Sequence, residues 1–303
     1  MIIDSFQAIP PQGFLYFISE MRGEPFLRDF VYLAPETLEE AAALKLEHDD
    51  KAIFMAGATD VIIRLRDHLI APDYVIDLKN IPDIGGITFS ETDGLHIGAL
   101  ATMTQIATNE HVLRHYPYLA EAAAYVGGRQ IRNRATCVGN IVNASPLADT
   151  ATSLYCHDAV VEIYGLPGKR EVPITEFILF VRKVALRPGE LVTGIRVPYL
   201  PGAKGVFRKV ARRNEVDLST VCGTVLKVQD DYRIAMGSVA PTPLRLPKTE
   251  ALLSGKPLTD ALIEEAAALA ATEVSPIDDV RADRQYRLDI VSYLVRDGLT
   301  KLR

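Results

Sequence analysis

Cysteine is scarce in this sequence, and its scarcity narrows the classes of protein to consider. The 303 residues contain three cysteines, Cys137, Cys156 and Cys222, which are far apart and form no CxxC pair. A structural zinc site or an iron–sulfur cluster held by this chain alone is therefore not expected, and neither is the disulfide framework of a small secreted protein. The histidines also lack metal-ligand spacing, so we predict no metal site.

Long apolar runs and an excess of basic residues are missing as well. No run approaches the roughly 20 apolar residues of a transmembrane helix, and the first residues lack the basic start and apolar stretch of a signal peptide. With 33 Lys and Arg against 39 Asp and Glu, the net charge is -6, which argues against non-specific nucleic-acid binding. We expect a cytoplasmic protein that neither inserts into a membrane nor binds nucleic acid.

The hydrophobic content, at 48% of the residues, is high enough for a substantial core. Up to about residue 200, strand-like segments such as KAIFMAG alternate with segments of helical periodicity, and AVVEIYG and GKREVPI resemble a hairpin. After Pro201, three alternating segments (GVFRKVARR, STVCGTVLKVQ and YRIAMGSVA) predict an antiparallel sheet that two helices follow. The sequence therefore predicts an α+β protein with an N-terminal extension over residues 1–26, a domain over 27–200 and a smaller α+β domain over 201–303.

The first stretch with chemical potential is MAGATDVII, residues 55–63. A strand leads into small residues, and a helix begins at once, for which Thr59 and Asp60 are suitable N-cap residues. Small residues allow backbone N–H groups to approach a phosphate closely. An ordinary strand–turn–helix explains the same pattern, and the absence of GxGxxG gives no support for a Rossmann dinucleotide site.

The second stretch is RQIRNRATCVGNIVNASPLADT, residues 129–150. Its Asn, Ser, Thr, Asp and Gly residues compete for backbone hydrogen bonds in regular structure, so we predict a polar loop. A solvated loop or a subunit contact would show a similar composition. The residues alone therefore indicate a polar ligand site and nothing more specific. No Ser/His/Asp or paired-carboxylate arrangement appears in the sequence, and we predict no catalytic side chain.

Taken together, AGATD and, about eighty residues later, IRNRATCVGNIVNASPLADT resemble the paired FAD motifs of the FAD-binding (medium) subunits of the xanthine dehydrogenase and molybdenum hydroxylase family. The resemblance runs from about Leu27 to the C-terminus. It implies a PCMH-type, vanillyl-alcohol-oxidase-like FAD-binding domain of two α/β subdomains, divided near residues 80–85, and one bound FAD. It also implies an oxidoreductase complex. A large partner subunit would carry the molybdenum cofactor, a small one would carry [2Fe-2S] clusters, and FAD would pass electrons to NAD or another acceptor.

Carried over position by position, the resemblance implies site residues in three roles. The pyrophosphate cradle would be formed by Ala56, Gly57, Ala58, Thr59 and Asp60 together with Thr136, Gly139 and Asn140. The ribityl chain and the edges of the adenosine and flavin would lie along Ala144, Ser145 and Asp149. Contacts to the flavin would also come from Leu191, Val192, Arg208 and Lys209.

Two positions depart from the family pattern. Ala58 stands where the family usually has Gly or Asn, and Val138 stands where it has Gly. A β-branched valine does not readily take a positive φ, so we expect a different local turn there. Two alternatives stay open: a free-standing FAD oxidoreductase, and a scaffold subunit with a degenerate FAD site. The basic segment FRKVARR is compatible with a solvated strand face or with positive charge near the flavin, which would raise its potential.

Overall fold

The computed structural model describes residues 27–303, so the predicted extension over residues 1–26 lies outside the described residues. The described chain begins with a parallel sheet of order β1–β3–β2, made of β1 (Val31–Leu33), β2 (Ala52–Met55) and β3 (Tyr74–Asp77). Helix α1 (Leu38–His48) joins β1 to β2, and α2 (Val61–Arg66) joins β2 to β3, as parallel pairing requires. Helix α1 begins after Thr37, whose hydroxyl accepts a hydrogen bond from the Glu40 N–H at 3.1 Å.

An antiparallel sheet of order β4–β5–β10–β6–β7 follows. Its strands are β4 (Ile87–Ser90), β5 (Gly94–Gly98), β6 (Val160–Gly165), β7 (Gly168–Pro173) and β10 (Leu191–Val197). The predicted hairpin is confirmed as β6 and β7, with Val161 opposite Val172. A small separate hairpin, β8 (Ile178–Phe180) and β9 (Lys183–Val184), precedes β10. Strand β10 then lies between β5 and β6 and is the central strand of the sheet.

Helices fill the chain between β5 and β6. They are α3 (Met103–Thr108), α4 (Glu110–His115), α5 (Pro117–Ala124), α6 (Arg129–Arg132), α7 (Cys137–Val142) and α8 (Asp149–Cys156), and the short α9 (Ile174–Phe177) follows β7. Helices α3 and α4 are separated at Asn109, whose side chain accepts hydrogen bonds from the N–H groups of His111 and Val112.

The prediction of a loop over residues 129–150 was wrong, because α6, α7 and the start of α8 lie there. Within α7 the side chains of Cys137, Val138 and Ile141 are buried in the main core, with at most 4% of each exposed. Burying one apolar face of a helix contributes more than the weak helix propensities of Gly139 and Asn140 oppose. Tertiary packing therefore overrides the local preference of the polar residues.

The C-terminal part is a four-stranded antiparallel sheet with three helices. Its strands, in the order β11–β12–β13–β14, are β11 (Lys204–Val210), β12 (Val221–Val228), β13 (Asp231–Gly237) and β14 (Leu244–Arg245), and the helices are α10 (Pro247–Leu253), α11 (Asp260–Thr272) and α12 (Arg284–Leu302). The three predicted strands and two predicted helices are confirmed; β14 and α10 are additional. One sheet face packs on α12 and the other on α5 and α8, so the sheet is covered on both sides.

Candidate cofactor site

A cleft of about 800 Å³ brings the two sequence motifs together. The turn between β2 and α2 lines one wall, and the N-terminal part of α7 lines another. Ten of the fifteen predicted site residues line this cleft: Ala56, Gly57, Ala58, Thr59, Asp60, Thr136, Gly139, Asn140, Leu191 and Val192. Segments about eighty residues apart in sequence therefore face one shared space.

Direct contact between backbones holds the first turn against the second motif. A Cβ atom added at Gly57 would come within 1.9 Å of the carbonyl oxygen of Arg134, so only glycine allows this approach. Ala58 has a φ of 65°, a left-handed conformation that costs an L-residue with a Cβ about 1–2 kcal/mol. Of the two positions that depart from the family pattern, Ala58 is thus the one whose backbone is strained.

Asp60 occupies the N-cap position of α2, but its side chain makes no capping hydrogen bond. Its Oδ1 instead accepts a hydrogen bond of 2.9 Å from Nδ2 of Asn143. Asp60 therefore stands at the N-cap position for which the sequence made it a candidate, but it does not make the capping hydrogen bond. Its carboxylate connects the first turn to the residue that follows α7.

The second wall is fixed by an N-cap at Thr136. The Thr136 hydroxyl accepts a hydrogen bond of 3.0 Å from the Gly139 N–H, and a Cβ added at Gly139 would lie 2.7 Å from that oxygen. Asn140 uses its Oδ1 to accept from the Thr150 hydroxyl at 2.8 Å. Val138 lies inside α7 with helical backbone, so no positive φ is required there and the expected change of turn does not occur.

A third wall, which the sequence motifs did not predict, is formed by the turn of the β8–β9 hairpin and the segment that leads into β10. Arg182, Lys183 and Arg187 lie along it, while Arg64 and Lys45 face the cleft from α2 and α1. Of the carboxylates in the lining, Glu190 is paired with Arg170 at 2.6 Å, and this guanidinium holds the pKa of Glu190 below its usual range. Five basic side chains thus line the cleft together with Asp49, Asp50, Asp60 and the compensated Glu190, which leaves a small excess of positive charge. In the sequence, the third wall could have been recognised only from the VRK and LRPG segments, where basic residues stand next to apolar runs.

The remaining five predicted residues do not line the cleft. Ala144 is fully buried, and its carbonyl accepts the Arg182 N–H at 3.0 Å. The Ser145 hydroxyl accepts from the Leu147 N–H at 3.2 Å. Arg208 donates to Asp297 at 2.8 Å and to Glu121 at 3.3 Å, so its charge is compensated by two carboxylates.

Asp149 and Lys209 form a buried ion pair, with Lys209 Nζ 2.7 Å from Asp149 Oδ2 and 6% of each side chain exposed. The Ser219 hydroxyl donates to the other carboxylate oxygen. Burial raises the pKa of Asp149 above its ordinary value, and the lysine ammonium acts in the opposite direction. Arg208 and Lys209 thus do not present uncompensated positive charge, which removes the physical basis for the predicted rise in flavin potential.

Lys209 also borders a second cavity of about 340 Å³ together with Tyr125 and Arg213. Tyr125 precedes Val126, which lines the main cleft, so consecutive residues just after α5 line the two cavities.

A second buried polar contact joins the helices to the chain entering the C-terminal sheet. His157 Nδ1 donates to the Pro198 carbonyl at 3.0 Å, and its Nε2 accepts from the Tyr118 hydroxyl. Burial lowers the pKa of His157 to about 4, and the nearby Arg233 acts in the same direction. The imidazole is therefore neutral at pH 7 and serves as a structural contact.

Within residues 27–303, no group of three or more His, Cys, Asp or Glu side chains could hold a metal ion. No helix in that same range combines the length and the apolar content needed to cross a bilayer.

The sheets and helices define an α+β protein. Its two glycine-bearing segments share one cleft, whose size is usual for a small-molecule ligand. Residues 28–200 match the family described as the FAD binding domain in molybdopterin dehydrogenase, and residues 206–302 match the CO dehydrogenase flavoprotein C-terminal domain. The chain belongs to this family of FAD-binding proteins. The predicted family, the α+β fold and FAD as the cofactor are thereby confirmed.

Individual relatives agree with the family match. The chain is 33% identical over 277 residues to the putative xanthine dehydrogenase FAD-binding subunit XdhB of Escherichia coli strain K12, which covers 89% of this chain and 94% of that protein. It is 31% identical over 271 residues to the glyceraldehyde dehydrogenase medium chain of Sulfolobus acidocaldarius, covering 88% and 95%. A solved carbon monoxide dehydrogenase from Hydrogenophaga pseudoflava, which lacks the Mo-pyranopterin moiety, matches with a TM-score of 0.86 at 30% identity, covering 90% and 97%. These relatives are named dehydrogenases, in accord with the predicted oxidoreductase class.

Proposed function

We propose that this chain binds one FAD in the main cleft and is the electron-transfer subunit of a multi-subunit molybdenum hydroxylase. In this proposal electrons come from [2Fe-2S] clusters of a small partner subunit, the molybdenum cofactor lies on a large one, and NAD or another carrier is the acceptor. The observation that carries it is the shared cleft of residues 56–60 and 136–140. The relatives named as FAD-binding subunits or medium chains support the assembly.

The residues of the cleft fit a flavin dinucleotide. Its volume of about 800 Å³ lies in the upper part of the range of roughly 300–1,000 Å³ that is usual for small-molecule sites. Small side chains at Ala56, Gly57 and Ala58 leave the backbone of the first turn open to a phosphate group. The hydroxyl of Thr136 accepts the Gly139 N–H, and its own proton remains able to donate.

When bound, FAD supplies the chemistry that connects carriers of single electrons to an acceptor of two. We propose that the ten predicted residues in the cleft bind and orient it. We propose that Lys209, which borders the second cavity beside Tyr125, contacts the flavin end. Ala144, Ser145, Asp149 and Arg208 would then support these walls from behind.

The proposed domain organisation separates the FAD-binding residues from the C-terminal sheet. We propose that residues 27–200 form the FAD-binding domain, with subdomains divided near residues 80–85, and that residues 201–303 form a separate α+β domain. The first division falls between β3 and β4, where the chain leaves the parallel sheet and enters the antiparallel one.

The direct test is titration of the purified chain, stripped of flavin, with FAD while flavin fluorescence is recorded. We expect one FAD per chain for the natural sequence. Gly57→Ala should weaken binding at least about tenfold, because its Cβ cannot coexist with the Arg134 carbonyl at 1.9 Å. Gly85→Ala is the matched control, since the nearest atom to its Cβ would be 3.8 Å away. A folded natural chain that binds no FAD would contradict the proposal and favour a scaffold subunit.

Native mass spectrometry of the chain purified from its own cells would test the assembly. The complex requires a molybdenum-containing and an iron-containing partner to co-purify in fixed stoichiometry. A flavin-loaded chain without partners would favour the free-standing oxidoreductase.

A further inference from the structure

The turn of the β8–β9 hairpin is attached to the second motif through its backbone. Arg182, at this turn, has a φ of 61°. Its N–H donates to the carbonyl of Ala144 at 3.0 Å, two residues after the end of α7. The hairpin pairs with no strand outside itself among the described residues. The attachment therefore fixes the third wall of the cleft against the second.

The Arg182 side chain extends this attachment to the first motif. Its guanidinium donates to Oδ1 of Asn143, and Nδ2 of Asn143 donates to Oδ1 of Asp60 at 2.9 Å. Arg182 Nη1 also lies 3.8 Å from that carboxylate oxygen. A row of hydrogen-bonded side chains, Arg182–Asn143–Asp60, thus connects all three walls of the cleft. Both the oxygen and the nitrogen of the Asn143 amide take part in it.

The charge of Asp60 makes this row of hydrogen-bonded side chains important for the binding of an anionic ligand. Asp60 belongs to the turn that lines the cleft, and half of its side chain is exposed. The diphosphate of FAD carries two negative charges, so an uncompensated carboxylate in the same turn would repel it. Arg182 provides a cation beside this carboxylate.

We propose that Arg182 is a positioning residue for the diphosphate of FAD. It offsets the Asp60 carboxylate and holds Asn143 between the two motifs, so that the first turn can accept an anion. This inference rests on the proposed function, because it concerns the same FAD-binding cleft. It adds the hairpin, which neither motif contains, to the determinants of cofactor affinity.

A double-mutant cycle on FAD affinity tests the inference. Arg182→Met should weaken FAD binding about fivefold at low salt, the upper end for one exposed charge interaction. Asp60→Asn keeps an Oδ1 acceptor for Asn143 but removes the charge, so in that background the same Arg182→Met change should cost less than about twofold. Arg182→Lys, which retains the charge, should recover part of the affinity. The effect of Arg182→Met should also shrink with added salt.

Arg66→Met is the matched control. Arg66, the last residue of α2, pairs with the next residue, Asp67, and is not part of the cleft lining. Its side chain is 43% exposed, against 45% for Arg182. The Arg66→Met variant should bind FAD with the affinity of the natural chain. Equal losses from Arg182→Met in both backgrounds, or an equal loss from Arg66→Met, would overturn the inference while leaving FAD binding intact. If the natural chain bound no FAD, the proposed function itself would fail and the inference with it.

Discussion

The segment from Thr136 to Asp149 begins in the wall of the cleft and ends in the interior, and its two ends use polar side chains differently. At the cleft end, Gly139 and Asn140 are half-buried and retain an open side toward the cleft. At the other end, both oxygens of Asp149 are occupied, one by Lys209 of β11 and one by Ser219 just before β12. The open end is suited to a ligand, whereas the closed end fastens the C-terminal sheet to the rest of the molecule.

His157 belongs to the closed side of this comparison. It follows the last residue of α8 and donates to the Pro198 carbonyl in the connection to the C-terminal sheet. A polar run in the sequence therefore does not have a single purpose. Residues near its start shape the cleft, and residues near its end hold two layers of the fold together.

The largest effect should come from breaking the closed end. Asp149→Ala would leave Lys209 buried without its carboxylate, and we expect a loss of about 3–5 kcal/mol in the free energy of unfolding, measured with urea. The control is the double variant Asp149→Asn with Lys209→Met, which removes both charges and should cost less than Asp149→Ala alone. Stability unchanged by Asp149→Ala would mean that the two ends do not differ in this way.

Two substitutions within the cleft walls would sharpen the comparison. Val138 is 4% exposed and helical, so Val138→Gly should lower the free energy of unfolding by about 3 kcal/mol through lost burial and helix propensity. Ala58→Gly removes the cost of a positive φ and should raise stability by less than about 1 kcal/mol, since glycine also gains entropy in the unfolded chain. Thermal and urea unfolding measure both. The assignment of strain to Ala58 would be lost if the two variants showed the same change.

A smaller effect should appear as a pH dependence of the closed side. The pKa of His157 is about 4 in the folded chain, below its ordinary 6.5, so the unfolded state binds the extra proton first as the pH falls. Stability is then full above pH 6.5 and declines toward pH 4, with about 2 kcal/mol lost between pH 7 and 4.5. Urea unfolding at the two pH values should show that His157→Gln removes this share of the acid sensitivity. An identical pH slope in both proteins would contradict the assignment.

Much of the fold could be predicted because its elements show clear periodicity. The helix after Thr37, the β6–β7 hairpin and the three long strands of the C-terminal sheet all follow from local patterns. The helix over Cys137–Val142 could not, since its formation depends on burying three apolar side chains in a core that other segments supply. Local composition there pointed to a loop.

Site residues could be predicted where the shape of the backbone places them in the cleft. Those whose role depends on charge pairing were harder to predict. Gly57 and Gly139, which line the cleft, could be predicted because small residues and turns can be recognised in the sequence. The partners of Asp149 and Asp60 lie 60 and 83 residues away, and no spacing rule connects them. For the same reason the contribution of Arg182, brought in by a separate hairpin, was not visible.

The place of β10 has a consequence for how the protein is made. Because this late strand lies between β5 and β6, the central sheet stays open until the ribosome has released residues up to Val197. Until then β5 and β6 each offer an unpaired edge, the kind of surface that invites mispairing with other chains. Leu191 and Val192, which border the cleft, lie on that same strand, so the pairing of β10 with β5 and β6 also places these two residues in the cleft wall.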